Sequence, residues 1–124
     1  MMTFMKWQVI FYSEFEEEFE AFTQEVQDEL FAKVVILSAI GPQLGRPTVD
    51  QLKGSRHANL KEIRFQANNG VWRVAFAFDV ERKAILLVAG DKSGMSQKKF
   101  YKALIDRADQ RFDQHLKKLR EDSK

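Results

Sequence analysis

The sequence predicts an α+β fold: a small, mostly antiparallel twisted sheet built in the order strand, helix, helix, three strands, helix, with the helices packed on one face. Three observations predict it. Apolar residues between 15 and 37 recur at helical spacing, those between 60 and 90 follow strand spacing, and residues 101–119 return to helical spacing. At 124 residues the chain is expected to form one domain, 1–124, with a polar tail from about residue 120.

The first strand is read in Lys6–Tyr12, KWQVIFY, which is rich in aromatic and β-branched side chains and ends at Ser13, a residue suited to capping a helix. Phe15, Phe19, Phe22, Val26, Leu30, Val34 and Leu37 follow at steps of three or four, with Glu and Asp filling most of the other positions. That pattern describes two amphipathic helical segments meeting near Thr23. Gly41, Pro42, Gly45 and Pro47 break it, so residues 41–59 read as a loop with room for a short turn.

From Leu60 the period is two: Ile63 and Phe65 share a face with Lys61, while Glu62 and Arg64 take the other. Asn69-Gly70 is the predicted hairpin turn, because both residues tolerate positive φ. In VWRVAFAFDV, the set Trp72, Val74, Phe76, Phe78 and Val80 opposes Arg73, Ala75, Ala77 and Asp79. Glu81, Arg82 and Lys83 turn the chain into AILLVAG, apolar on both faces and so expected near the centre of the sheet. A last helix is predicted from about Ser96, with Tyr101, Leu104, Ile105, Ala108, Phe112, Leu116 and Leu119 as its apolar stripe.

Hydrophobic residues make up 44% of the chain and charged residues 31%, enough apolar material for a folded core. The absence of Cys removes disulfide frameworks, thiolate metal sites and cysteine nucleophiles. Two His without a partner at helical spacing make no zinc pattern, and no phosphate loop, nucleophile elbow or dinucleotide fingerprint is present. GDKSG, Gly90 to Gly94, has part of a phosphate loop's composition without its pattern. No metal and no cofactor are therefore expected. MMTFMKWQVIFYSEF meets Glu too early to hold a signal-peptide core, and no apolar run nears the roughly 20 residues that span a bilayer. The expectation is a soluble cytoplasmic protein with no membrane partner.

The net charge of +2 conceals an asymmetry. Residues 1–50 carry three Lys/Arg against nine Asp/Glu (net −6), and residues 51–124 carry seventeen against nine (net +8). A basic half suits phosphates or an acidic partner. The predicted hairpin brings Arg64 and Arg73 onto neighbouring strands, opposed to the hydrophobic set, and Ala75 and Ala77 leave room above that face. Lys92 lies where the central strand ends, and Lys53, Arg56 and His57 lie in the loop feeding the meander. Together they form an expected basic patch on the face left free of helices.

Guanidinium groups bind phosphate bidentately, keep their charge, and can stabilise a charged transition state. RNA carries its own nucleophile in the 2′-OH, so a site need only position the strand, remove that proton and stabilise the phosphate and the leaving oxygen. His57, Glu62 and a Lys whose pKa is lowered by neighbouring cations are candidates for proton transfer, and the choice among them stays open. The same residues have plainer readings: Arg73 paired with Asp79 or Glu62, His57 as a surface loop residue, and Tyr101 and Trp72 as packing.

LKGSRHANLKEIRF, then NNGVWRVAFAFD, then AILLVAGDKSGMSQKKFYKALIDRADQRF, together resemble the phage-derived HigB-like toxin family of the RelE/ParE superfamily, over nearly the whole chain. The resemblance implies a RelE/ParE-like fold and the toxin of a type II toxin–antitoxin pair. It further implies an mRNA endoribonuclease acting on the ribosome without a metal, silenced by a helix-turn-helix antitoxin in a toxin–antitoxin hetero-oligomer. On the family's pattern the catalytic positions are Arg64, Arg73 and Lys92, with RNA-binding support from Lys53, Arg56, His57, Lys61, Lys98, Lys99 and Tyr101. Some HigB toxins carry a His or Tyr soon after the last strand; here that segment reads DKSGMSQ and Tyr101 comes later, so the resemblance leaves the proton-transfer group open. The superfamily also contains ParE-like gyrase poisons that share the fold and lack a nuclease site, and a catalytically degenerate antitoxin-binding chain is a further alternative.

Overall fold

The computed structural model describes residues 6–123. Residues 1–5, the opening of the stretch read above for a signal-peptide core, and Lys124, the last residue of the expected tail, lie outside the described residues. The chain forms β1 (Val9–Phe11), α1 (Ser13–Glu20), α2 (Gln24–Ile40), a 3-10 turn (Gly41–Gln43), β2 (Val49–Gln51), β3 (Lys61–Ala67), β4 (Gly70–Phe78), β5 (Ala84–Asp91) and α3 (Gln97–Asp122). The α+β class and the order of the major elements are those the sequence predicts.

Thr23 separates the first two helices and caps the second: its Oγ1 accepts from the Val26 N–H at 3.4 Å. Ser96 caps α3 in the same way through the Lys99 N–H, at 3.2 Å. Ser13, expected to cap α1, is instead its first residue, and its hydroxyl donates to the Glu14 carboxylate at 2.6 Å. The polar end expected as a tail continues α3 to Asp122.

The five strands lie in the order β1-β5-β4-β3-β2, with β1 parallel to β5 and every other pair antiparallel. Residues 41–59 are not all loop, because β2 pairs along the β3 edge with Asp50 opposite Glu62. The β3–β4 hairpin closes one residue earlier than predicted. Ala67 faces Gly70, and the residues with positive φ are Asn68 (54°) and Asn69 (62°), so Gly70 already belongs to the strand.

The expectation that all helices share one face is overturned. Phe15, Leu30 and Leu37 from α1 and α2 bury Ile63, Val74, Phe76 and Leu86 on one side of the sheet. Phe100, Leu104, Ala108 and Phe112 from α3 bury Ala75, Ala77, Ile85 and Leu87 on the other. The physical reason is in the sequence: β5 is apolar on both faces and must be covered on both. Ala75 and Ala77, taken above as room for a ligand, are fully buried beneath α3 and let it approach the strands closely.

Polar clamps fix α3. The Arg111 guanidinium bridges the Glu18 carboxylate (2.6 Å) and the Leu87 carbonyl (2.7 Å), and His115 Nε2 lies 2.8 Å from Asp79 Oδ2. Among the described residues no helix is long and apolar enough to cross a membrane.

Candidate functional site

Period-two alternation in β3 and β4 sends Glu62, Arg64 and Arg73 to the side covered by α3, with Arg64 directly opposite Arg73 across the hairpin. Arg73 in turn faces Gly90 of β5. A Cβ at Gly90 would lie 2.8 Å from the Phe100 ring, so only glycine lets the first turns of α3 come down here, bringing Tyr101 to Arg73.

The Tyr101 hydroxyl donates to Glu62 Oε1 at 2.9 Å and accepts from Arg73 Nε at 3.2 Å. Arg73 is 5% exposed; its Nε lies 3.7 Å from Glu62 Oε1, and its Nη1 donates to the Trp72 carbonyl at 2.9 Å. Arg64 Nη1 reaches Glu62 Oε2 and Asp50 Oδ2, each at 3.4 Å, while its side chain stays 33% exposed. Asp50 also receives Arg46 Nη2 at 2.9 Å. The result is a row of alternating charge, Arg46, Asp50, Arg64, Glu62, Arg73, crossing β2, β3 and β4.

Lys92 follows β5 and completes the cluster. Its backbone N–H donates to the Val71 carbonyl at 2.8 Å, and Asp91 Oδ1 accepts from the N–H groups of Val71 (3.0 Å) and Ser93 (2.9 Å), which holds the turn in place. Its ammonium sits 5.8 Å from the centre of the Tyr101 ring.

Burial and the Arg73 and Arg64 guanidiniums hold the Lys92 ammonium below the ordinary lysine value. Burial also raises Glu62 above the usual carboxylate range, against the opposing pull of the Tyr101 hydroxyl and both arginines. Desolvation likewise raises the Tyr101 hydroxyl. A glutamate raised and a lysine lowered from their ordinary values thus meet the same tyrosine, Glu62 at its hydroxyl and Lys92 over its ring.

Of the predicted residues, Arg64, Arg73, Lys92 and Tyr101 come together. The expected patch on a helix-free face is replaced by a cluster tucked against the start of α3. Lys98 and Lys99 are exposed in the first turn of that helix, and Lys53 is exposed after β2. Three others are drawn elsewhere. Arg56 is bound by Asp113 and lies 3.8 Å from Asp109, and His57 Nε2 contacts Asp113 at 2.7 Å, so both are held along α3. Lys61 points to the α2 side and donates to the Pro42 carbonyl at 2.9 Å. Glu62, named from the sequence as a candidate for proton transfer and as one of two partners for Arg73, proves to be the hub. Its alternation placed it beside Arg64, but the bond to Tyr101 joins residues 39 positions apart and leaves no local signal.

Comparison with known proteins gives a consistent lineage. The model of a family described as phage derived protein Gp49-like (DUF891) matches residues 17–113, which include the LKEIRF and WRVAFAF segments. Two Mycobacterium tuberculosis relatives are described as candidate toxins. HigB2 is 43% identical over 82% of this chain, and HigB3 is 39% identical over 87%. The chain spans half the length of HigB2 and 92% of HigB3. A solved structure of Escherichia coli toxin RelE, a double arginine-to-alanine mutant in the free state, superposes with a TM-score of 0.57 at 14% identity, covering 82% of this chain and 95% of that one. At that identity the likeness is one of fold. With a family model matched over most of its length and a relative of nearly equal size, the chain belongs to the phage-derived Gp49-like family, among HigB-like proteins of the RelE fold.

Proposed function

We propose that this chain is the toxin of a toxin–antitoxin pair and that it cuts messenger RNA on the ribosome, without a metal, through the cluster beneath the start of α3. One observation carries the reading: Arg64, Arg73 and Lys92, from two strands and the end of a third, come together, with Arg73 at the Tyr101 hydroxyl, Lys92 over its ring and Arg64 opposite Arg73 across the hairpin. The names of the two Mycobacterium tuberculosis relatives support the toxin half. A helix-turn-helix antitoxin would be its restraining partner in a hetero-oligomer, and its place of action the cytoplasm, where the ribosomes are.

In the reaction the 2′-oxygen attacks the adjacent phosphorus and the bond to the 5′-oxygen breaks. One proton leaves the 2′-oxygen, another reaches the 5′-oxygen, and the products are a 2′,3′-cyclic phosphate and a 5′-hydroxyl. Arg64, the more exposed guanidinium, holds the phosphate as charge builds on its oxygens. Lys92, with its proton loosened, exchanges a proton with the reacting strand. Arg73 and Glu62, both buried, hold Tyr101 in place. Lys53, Lys98 and Lys99 add phosphate contacts at the margin.

A second reading has its own observation. The Arg73 guanidinium is buried and already engaged by Glu62, Tyr101 and the Trp72 carbonyl, which favours a cluster that braces the fold of a ParE-like gyrase poison or a degenerate antitoxin-binding chain. Inducing the chain alone separates the readings. The nuclease proposal expects growth arrest with cleavages at codon boundaries in translated messages, and a loss of about 100-fold or more in cleavage for Lys92→Ala with the fold intact. Intact messages with gyrase-linked DNA breaks, or no arrest, would overturn it.

A further inference from the structure

We infer that the outer face of α2 is a docking surface for a helix of another protein, one that presents an apolar stretch continued by Lys or Arg. Phe31, Ala32, Val35, Ile36, Ala39 and Ile40 are all exposed. At 100° per residue they occupy one half of the helix circumference. Phe31 is 61% exposed and Ile40 49%. Leu30, Val34 and Leu37, on the other half, are core. Apart from Ser38, which is buried and donates to the Trp7 carbonyl, the last turns of α2 are therefore apolar all round, the pattern of a helix covered on both sides. A contiguous patch of large apolar side chains on a protein surface marks an interface.

Charge identifies the occupant. In the first turns of α2 the same arc carries Gln24, Glu25, Asp28 and Glu29, and residues 13–32 contain eight carboxylates and no Lys or Arg. Glu25 accepts from the Asn68 N–H, Glu29 lies 3.6 Å from Lys33, and Glu18 is held by Arg111. Among the described residues Asp28 holds only the Gln24 amide, at 2.8 Å. The same face of a second copy would bring an equally acidic half, three Lys/Arg against nine acids over residues 1–50, and an anionic bilayer would be repelled in the same way. A helix with a basic end meets the acidic turns as its apolar stretch covers Phe31 to Ile40. The inference stands on this surface alone, across the sheet from the Arg64, Arg73 and Lys92 cluster.

Two synthetic helical peptides of roughly 20 residues, long enough to hold a helix, test it. They share a Leu stripe; one continues it with Lys and the other with Glu, and each is titrated against the full chain by fluorescence anisotropy. The Lys peptide is expected to bind at least about tenfold tighter than its Glu twin, with Phe31→Asp and Val35→Asp each weakening it about tenfold or more. Both positions are exposed, so far-UV circular dichroism should not change; Ala39→Glu provides a third probe should either variant misfold. Equal binding of the twins, no binding of either, or binding that survives all three substitutions would overturn the inference. So would self-association abolished by Phe31→Asp, or capture by phosphatidylserine vesicles. A chain that binds the Lys peptide yet never arrests growth would sink the toxin reading and leave this surface standing.

Discussion

Glu62 is the residue on which the cluster's energetics turn. It is 3% exposed, lies within 3.7 Å of two guanidiniums, and still has a raised pKa, so the cost of removing its charge from water exceeds the attraction of both cations. The sign of the pH effect follows. A folded pKa above the unfolded value means that the native state binds more protons between the two, so stability falls as pH rises from about 4.3 through the folded pKa of Glu62. Glu62→Gln keeps an acceptor for the Tyr101 hydroxyl and removes the titration. Urea unfolding of both proteins between pH 4 and 7, a window set around that ordinary glutamate value, is expected to show the wild type losing stability relative to the variant as pH rises. Asp50 and Asp113, held low by their arginine partners, lose their stabilising contributions only below the ordinary aspartate range and affect both proteins alike. Parallel profiles would show that Glu62 is ionised at no net cost. By the same logic Arg73→Ala is a poor test of chemistry, because it strands a buried carboxylate and costs about 3 kcal/mol of stability.

Among the elements, the two strands of the β3–β4 hairpin were legible, with the turn misplaced by one residue, and the loop before them was not. Alternation alone placed Arg64 and Arg73 on one face, because a strand gives its side chains two directions and the hydrophobic set takes one; the observed turn at Asn68-Asn69 then sets them directly opposite. A loop has no period. Arg56 and His57 were expected near the arginines and are instead held along α3 by Asp109 and Asp113, contacts between residues more than 50 positions apart. β2 was missed because its three residues, VDQ, are too few to show alternation. The side of the sheet taken by α3 was misread at Ala75 and Ala77, since small residues on a strand serve equally as space for a ligand and as the seat of a close-packed helix. Asp109 now explains how the loop is held. Its carboxylate, 4% exposed, accepts from the Ser55 hydroxyl and the Arg56 N–H. Asp109→Ala is expected to leave both donors unpaired, lower stability by about 1–3 kcal/mol, and raise amide hydrogen exchange across residues 53–59 ahead of the sheet. Exchange that rises uniformly through β3 and β4 would show that Asp109 holds the whole fold and not this loop.

For the whole molecule, the question is how much of the +8 carried by residues 51–124 can reach an RNA strand. Arg56 and Arg111 are spent on carboxylates of the same chain, and Lys61 faces the α2 side. Among the described residues Lys92, Lys53, Lys98 and Lys99 carry no ion pair and are exposed or partly exposed, and Arg64, a third exposed, meets Glu62 and Asp50 through Nη1 alone, which leaves Nη2 for a phosphate. Five phosphate contacts on a single strand correspond to a slope of log affinity against log salt of about −3.5. Truncating a cation that touches phosphate lowers that slope by about 0.7, and truncating one already neutralised within the protein leaves it unchanged. Measured with a short single-stranded RNA over a range of potassium chloride, Arg64→Ala is therefore expected to flatten the salt dependence and Arg56→Ala to leave it as in the wild type. The reverse pattern would mean that the strand runs along the 52–60 loop and the outer side of α3, where Asp106, Asp109 and Asp113 would have to release their partners to admit it.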